Sequence, residues 1–512
     1  MSLLGIVRTE VAEMTPKPTR QYLPSWMTDT GNGWRFVNRC GHVVRYVHDW
    51  GQWLVWDGTR WDPDAVDLVM ELAKATAMEI YAEVAEGGRT GGWTGDEVEA
   101  GYRWARQSLN TNRLVAMLKA AQSDEAVAIT SDQLDTRPHL LPCANGTLNL
   151  KTFELQPANP ADYMTKSTGI DFDPNATLSP TSKAFLETIT CGDEDLELYL
   201  QKILGYSLTG DTSRRLVFFL HGPGGRNGKS TLLEQVRCVL GDFAAVMPMA
   251  ALEKPRFSKG IGASSPEIAA LKGARFVTAS ESESDMHLSA AKIKELVGNE
   301  VIYARQLYKQ GIQFKPQFKL FLATNFRPNI PARDHAVWHR LRLIPFNYVI
   351  PEHEINPDLA EELAANASGW LSWIAAGLYL LNRDGLEEPA VVSEASQNYR
   401  SDMDTFSDFI DWLREEDEEG EANPNTTPVD YGLAALHKTY QEQAKLNGWE
   451  TLDAKAFSER MLDRGFTKTK KHPRQWVWPQ DRSAKPRYTI GQFRALAANW
   501  TEDENEDDAA AG

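Results

Sequence analysis

Hydrophobic positions change their spacing several times along the chain. Residues 14–34 (MTPKPTRQYLPSWMTDTGNGW) show no periodicity and are rich in Pro, Thr and Gly, so residues 1–34 are expected to form an extended arm. In RYVHDWGQWLVWDGTRWDPD (45–64) apolar residues alternate around Trp50-Gly51 and Asp57-Gly58, which predicts a short strand pair. Residues 65–86 and 97–121 carry apolar positions at helical spacing. Residues 138–155 (PHLLPCANGTLNLKTFEL) return to strands around Asn145-Gly146. A first domain of mixed structure is the expected outcome, and none of its residues suggests catalysis.

The middle third has a different rhythm. RRLVFFL (214–220) is an apolar run that feeds directly into HGPGGRNGKSTLLEQVRCVLG, a glycine loop opening a helix. ARFVTAS (274–280) and KLFLATN (319–325) are two further short apolar runs with polar endings. Strands interleaved with helical stretches predict a largely parallel sheet, whose ligands sit beyond the carboxyl ends of the strands, where all three endings fall. Residues 292–319 read as a helix and then two strands joined by a turn near 309–311. Residues 358–386 are strongly helical, and the region from 406 to about 500 reads as three helices followed by strands.

Composition narrows the class. The 512 residues are too many for one ordinary core, and 42% hydrophobic with 24% charged residues is usual for a soluble globular protein. There is no run of about 18 apolar residues and no basic-then-apolar leader, so a cytoplasmic protein without a membrane partner is expected. Cys40, Cys143, Cys191 and Cys238 stand singly, without zinc spacing or disulfide density, and are expected to be reduced core residues. The net charge of −17 excludes a uniformly basic coat for DNA, so any DNA contact must be local. The acidic blocks Glu415–Glu421 and Glu502–Asp508 flank a basic aromatic stretch, Phe466–Tyr488.

The glycine loop carries the most specific chemistry. In a P-loop, glycines let successive N–H groups face phosphates, a Lys reaches the β and γ phosphates and a Ser or Thr holds Mg²⁺. Gly222, Gly224, Gly225, Asn227, Gly228, Lys229, Ser230 and Thr231 are the ATP-binding candidates, with Lys229 and Ser230 in those last two roles. The strict pattern wants Gly where Pro223 stands, so the loop carries an extra residue near Arg226. At the end of FVTASESES, Glu281 suits the Mg²⁺ shell and Glu283 the polarising of an attacking water. Asn325 can orient that water or sense the γ-phosphate. Arg340 and Arg342 are candidates to stabilise the transferring phosphoryl group of a neighbouring subunit. Tyr308 and Lys309, at a hairpin tip, offer a stacking ring and a charge to a DNA strand.

NGKST, SESE, KELVGNEVIYARQLYK, LATNFRP and WHRLRLIPF follow one another in an order and spacing that resembles the superfamily-3 helicases, specifically the helicase half of the phage, plasmid and poxvirus primase-helicases. The upstream YVHDWGQWLVWDGTRW and CANGTLNLKTFEL resemble the domain that accompanies this motor. The resemblance implies an α/β fold: an AAA+ type P-loop NTPase core, a mixed α/β N-terminal domain and a C-terminal winged-helix-like domain. It implies Lys229 and Ser230 as Walker A, Glu281 and Glu283 as Walker B, Asn325 as sensor 1 and Arg340 as arginine finger. Lys294, Arg305 and Lys309 fall in the family's DNA-binding segment, while Asn299 stands where the family often has Asp. In the last domain Lys470, Lys471 and Arg474 would lie on a wing able to meet duplex DNA.

The implied organisation is an arm (1–34), an associated N-terminal domain (35–190), the motor (191–350), a helical subdomain (351–400), the winged-helix-like domain (406–500) and an acidic tail (501–512). The implied protein is a replicative helicase of a phage or plasmid, a homo-hexamer using ATP and Mg²⁺ to move 3′ to 5′ on single-stranded and forked DNA. No zinc spacing precedes the loop, so a separate primase is the expected partner. The alternative is an origin-binding initiator in which ATP drives assembly on duplex DNA.

Overall fold

The computed structural model describes residues 26–222, 224–254, 265–280, 286–305, 311–331, 334–422, 431–447, 449, 451–469 and 475–477. The chain divides into two compact units, one of residues 1–330 and 334–397 and the other of residues 331–333 and 398–512.

The first unit begins with helix α1 (Asp29–Cys40), whose N-cap Thr28 accepts from Gly31 N. The expected arm is therefore corrected at its end: a side-chain cap and an apolar face of Phe36, Val37 and Cys40 make residues 29–34 helical. Strands β1 (Val44–Val47), β2 (Gln52–Trp56) and β3 (Trp61–Pro63) form an antiparallel meander. Three helices follow, α2 (Leu68–Arg89), α3 (Gly95–Ser108) and α4 (Thr111–Ala121). The single periodic stretch 97–121 is two helices because Asn110 adopts an extended conformation between them. Strand β4 (Ala128–Ile129) returns parallel to β1, making four strands where a pair was expected. Phe36, Trp61, Ala73 and Met117 belong to the core of this part.

Strands β5 (Leu140–Cys143), β6 (Gly146–Asn149) and β7 (Glu154–Gln156) make a second meander, turning at Asn145-Gly146. Helices α5 (Pro180–Thr190) and α6 (Glu194–Tyr206) lead to the central sheet. In chain order that region contains β8 (Val217–His221), α7 (Lys229–Leu240), β9 (Ala244–Val246), the short α8 (Pro266–Ala269), β10 (Phe276–Ser280) and α9 (Ala290–Leu296). The hairpin β11 (Ile302–Arg305) and β12 (Gly311–Phe314) comes next, then β13 (Lys319–Thr324), the short α10 (His335–Trp338) and β14 (Leu341–Pro345). The sheet order is β14-β8-β13-β10-β9, and every neighbouring pair is parallel. Every residue of β13 is buried, as a strand covered on both faces requires.

One core runs from Leu140 through Phe185, Phe218 and Val236 to Trp370 and Val392. A boundary between 190 and 191 falls inside that core: the second meander and α5 bury their apolar faces with the sheet, not with the first meander. Cys40 and Cys143 are buried, and burial pushes each thiol up to about 11. Cys191 and Cys238 are exposed, which corrects their reading as core residues. Cys191 caps α5 with φ 57, and Cys238 lies off the face of α7 that buries Leu232, Val236 and Val239.

Helices α11 (Leu359–Ala365), α12 (Ala367–Asp384) and α13 (Ala390–Asp402) follow the sheet. Helix α12 crosses α6 at two glycines: a Cβ on Gly205 would meet Leu378 N at 2.2 Å, and one on Gly377 would meet Gln201 O at 2.0 Å. Gln201 Nε2 donates to Trp373 O at 2.9 Å at the same crossing. Gly377→Ala is expected to destabilise by about 1–3 kcal/mol from overpacking, outweighing the gain of roughly 1 kcal/mol in helix propensity. Denaturant unfolding checks this, and an unchanged or raised midpoint would show that the helices can part freely.

In the second unit, helices α14 (Thr405–Ala422), α15 (Leu433–Asn447) and α16 (Ala454–Asp463) precede a small antiparallel hairpin, β15 (Thr467–Lys468) and β16 (Trp476–Val477). Phe406, Phe409, Tyr440, Phe457 and Trp476 form its core. Among the described residues, no helix is long and apolar enough to cross a membrane.

Candidate active site

The loop between β8 and α7 leaves the carboxyl end of the central sheet. Gly222 is pressed against the segment after β14, so that a Cβ would lie 2.3 Å from Phe346 O. Gly224, Gly225, Arg226 and Gly228 all have left-handed φ, of 75, 77, 53 and 77°. At Gly228 a side chain would be excluded twice over, by that φ and by Ile189 Cγ2 only 2.4 Å from the added Cβ. The extra residue of the loop is accommodated by a second strand of contacts. Ile350 N donates to Arg226 O at 2.9 Å, Asn227 Nδ2 to Tyr348 O at 2.9 Å and Phe346 N to His221 O at 2.7 Å. Pro223 lies outside the described residues.

Lys229, the first residue of α7, is 5% exposed. Its ammonium donates to Gly222 O at 3.0 Å, Asn227 Oδ1 at 2.9 Å and Asn325 Oδ1 at 3.0 Å. All three ammonium hydrogens are thus used, which a cation so deep requires. Burial alone pulls its pKa below the ordinary lysine value. Ser230 is exposed and Thr231 half-buried in the same helical turn. An ammonium, a run of left-handed residues and a helix N-terminus converging at a sheet edge form an arrangement suited to phosphate groups.

Neighbouring strand ends complete the site. Asn325 follows β13 and reaches Lys229, while the Thr324 hydroxyl donates to Phe326 O and accepts from Phe326 N at 3.1 Å, closing a tight turn. Strand β10 ends beside it, with Ser280 opposite Ala323. Glu281 and Glu283, next in the chain, lie outside the described residues. Two residues at this edge escaped the sequence reading. His221 ends β8, one residue later than the apolar run suggested, and burial, then the charges of Arg327 and Lys229, push its imidazole down to about 4. Arg327 has no role in the sequence reading; the signal available is its place two residues after Asn325.

Other candidates lie elsewhere. Register sets Leu341 opposite Val217, so Arg340 stands at the amino end of the sheet while the glycine loop leaves the other end. The four-residue rise of β8 alone separates them by about 13 Å. Arg340 Nη1 donates to Lys294 O at 3.1 Å, and burial pulls its pKa down. Arg342 instead pairs with Glu388 Oε2 at 2.6 Å. Lys294 Nζ pairs with Asp334 Oδ2 at 2.9 Å, and Asn299 Oδ1 accepts from Thr212 Oγ1 at 2.6 Å. Arg305 closes the β11–β12 hairpin opposite Gly311. Tyr308, Lys309, Lys470, Lys471 and Arg474 lie outside the described residues. Among the described residues, no group of three or more His, Cys, Asp or Glu could hold a metal ion.

A parallel sheet with a glycine loop between a strand and a buried-lysine helix places this chain in a class: mixed α/β proteins with the fold of the NrS-1 C terminal region. That apo structure superposes with a TM-score of 0.51 at 13% identity, over 87% of this chain and 98% of its own, and at such identity the likeness is one of fold. A family model described as D5 N terminal like matches residues 34–191, and one described as a family of unknown function (DUF5906) matches residues 220–340. "Putative helicase L207/L206" of Acanthamoeba polyphaga mimivirus is 29% identical over 297 residues, 54% of this chain and 30% of the viral protein. "Putative helicase 022R" of Frog virus 3 is 28% identical over 48% of this chain and 27% of its own length. "Putative primase C962R" of African swine fever virus is 28% identical over 41% of this chain and 22% of its own. The chain thus spans less than a third of the length of these curated relatives. Over these spans the chain is similar to putative helicases and primases of viruses.

Proposed function

We propose that the chain is the ATP-driven motor of a replicative DNA helicase, an AAA+ type P-loop NTPase acting as a homo-hexameric ring that moves 3′ to 5′ on single-stranded DNA. The observation that carries this is Lys229: a buried ammonium held by Gly222, Asn227 and Asn325 at the mouth of the glycine loop. The terminal phosphates of ATP would exchange with the carbonyl partners of that ammonium, and the loop N–H groups would take the remaining oxygens. Asn325 would then be free to orient a water on the terminal phosphate. Ser230 and Glu281 would hold Mg²⁺, which would neutralise charge on the β and γ phosphates; the exposed Ser230 hydroxyl in the first turn of α7 fits that ion.

The position of Arg340 supports the ring. Standing at the far end of the sheet from Lys229, it suits a site completed by the neighbouring subunit. Three helices and a hairpin in the second unit support a winged-helix-like DNA-binding domain, with Lys470, Lys471 and Arg474 on the wing. A separate primase is the implied partner, and similarity to viral putative helicases and primases supports a role in a viral replicon. ATP-dependent unwinding of a forked substrate tests the proposal, and nucleotide hydrolysis without strand separation would favour an initiator instead.

The β11–β12 hairpin supplies a sharper test. If Lys309 tracks a strand through the ring, Lys309→Ala should keep assembly and basal hydrolysis but lose DNA-stimulated hydrolysis and unwinding, since one phosphate contact per subunit is removed six times over. Wild-type unwinding by the variant would mean that DNA takes another path.

A further inference from the structure

The carboxyl ends of β8 and β13 lie level, with His221 opposite Thr324. Lys229 bridges the residues immediately beyond them, bonding Gly222 O after His221 and Asn325 Oδ1 after Thr324. The turn closed by the Thr324 hydroxyl then leaves Phe326 52% exposed and returns the half-buried Arg327 to the same strand ends, where its charge bears on His221. The charges of Arg327 and Lys229 both act on this half-buried imidazole, and together with burial they keep it neutral.

Such a pair has a chemical meaning at a phosphate site. Lys229 and the loop N–H groups suit the phosphates that ADP and ATP share. A second cation that reaches the terminal phosphate would meet oxygens that only ATP offers, and Arg327 stands two residues beyond the Asn325 that Lys229 bonds. We infer that Arg327 is a second cationic contact for the terminal phosphate, supplied by the same subunit that binds the nucleotide, so that the site distinguishes ATP from ADP. This rests on the nucleotide-site reading above. It also differs from the role proposed for Arg340, which is offered to a neighbour's site and to the reaction itself.

Titration of the full-length chain with fluorescent ADP and with a fluorescent non-hydrolysable ATP analogue tests the inference. Arg327→Ala is expected to weaken the ATP analogue by about 10- to 100-fold, the range for one lost charge-assisted hydrogen bond. ADP affinity should be unchanged, which also reports that the variant is folded. Arg327→Lys should recover part of the loss. In mixed rings, Arg327→Ala subunits should not regain hydrolysis with Lys229→Ala subunits, because each site then lacks one cation of its own. An ATP preference retained by Arg327→Ala, equal losses for both nucleotides, or recovery on mixing would each overturn the inference. A wild-type protein that binds neither nucleotide would instead overturn the nucleotide-site reading itself.

Discussion

Lys229→Ala is expected to abolish nucleotide hydrolysis and, with it, unwinding. The ammonium is the one buried cation at the centre of the loop that bonds Gly222, Asn227 and Asn325 together. Removing a preorganised donor aimed at developing charge costs about 10²- to 10³-fold in rate, and here the same donor also orders the loop. Three acceptors lose their partner at once, so some stability is expected to go as well, at about 1–3 kcal/mol for each acceptor that water cannot reach. Asn325 is exposed and will find water; Gly222 and Asn227, both buried, carry the acceptors at risk. Thermal unfolding beside the hydrolysis assay separates the two effects. Glu281→Gln is the companion variant: it should still bind ATP while turnover stops. Hydrolysis at the wild-type rate by folded Lys229→Ala protein would remove the loop from the mechanism.

Arg340→Ala is expected to lower hydrolysis by about 10³- to 10⁵-fold, the range for an arginine that stabilises a transferring phosphoryl group. Within one chain the residue stands at the end of the sheet opposite the loop, so the loss can arise only if a neighbour uses it. Mixing Arg340→Ala subunits with Lys229→Ala subunits should then restore part of the activity, since some interfaces combine an intact lysine with an intact arginine. Arg342→Ala provides the contrast. Arg342 pairs with the part-buried Glu388, whose pKa burial raises and the guanidinium lowers, so its removal should cost stability more than chemistry. Failure to recover activity in rings shown to have mixed would rule out the finger.

Much of this architecture is legible from residue order. Alternation around Asp57-Gly58, apolar runs ending in polar residues and the glycine-rich entry to α7 each encode local structure within a few residues. Where local signals were weaker than their context, the reading slipped. The stretch 97–121 is continuous in apolar spacing, yet it breaks at Asn110. The start of α1 reads as loop by composition, yet Thr28 caps it and Phe36 anchors it. Cys191 and Cys238 looked like core residues because nothing local marks the side of a helix that faces outward.

Residue order alone shows most of the strand, loop and helix types and which residues are able to bind phosphate, because glycine, lysine and strand-end carboxamides have their properties wherever the chain goes. Only tertiary structure decided which of them meet. Parallel pairing of β8 with β13 levels His221 with Thr324 and so brings Lys229 to Asn325, 96 positions on. Parallel pairing of β14 with β8 sends Arg340 to the opposite end. Strand register is set by burial of whole faces in a shared core, a sum over many side chains far apart in sequence, and no short window of residues contains that sum.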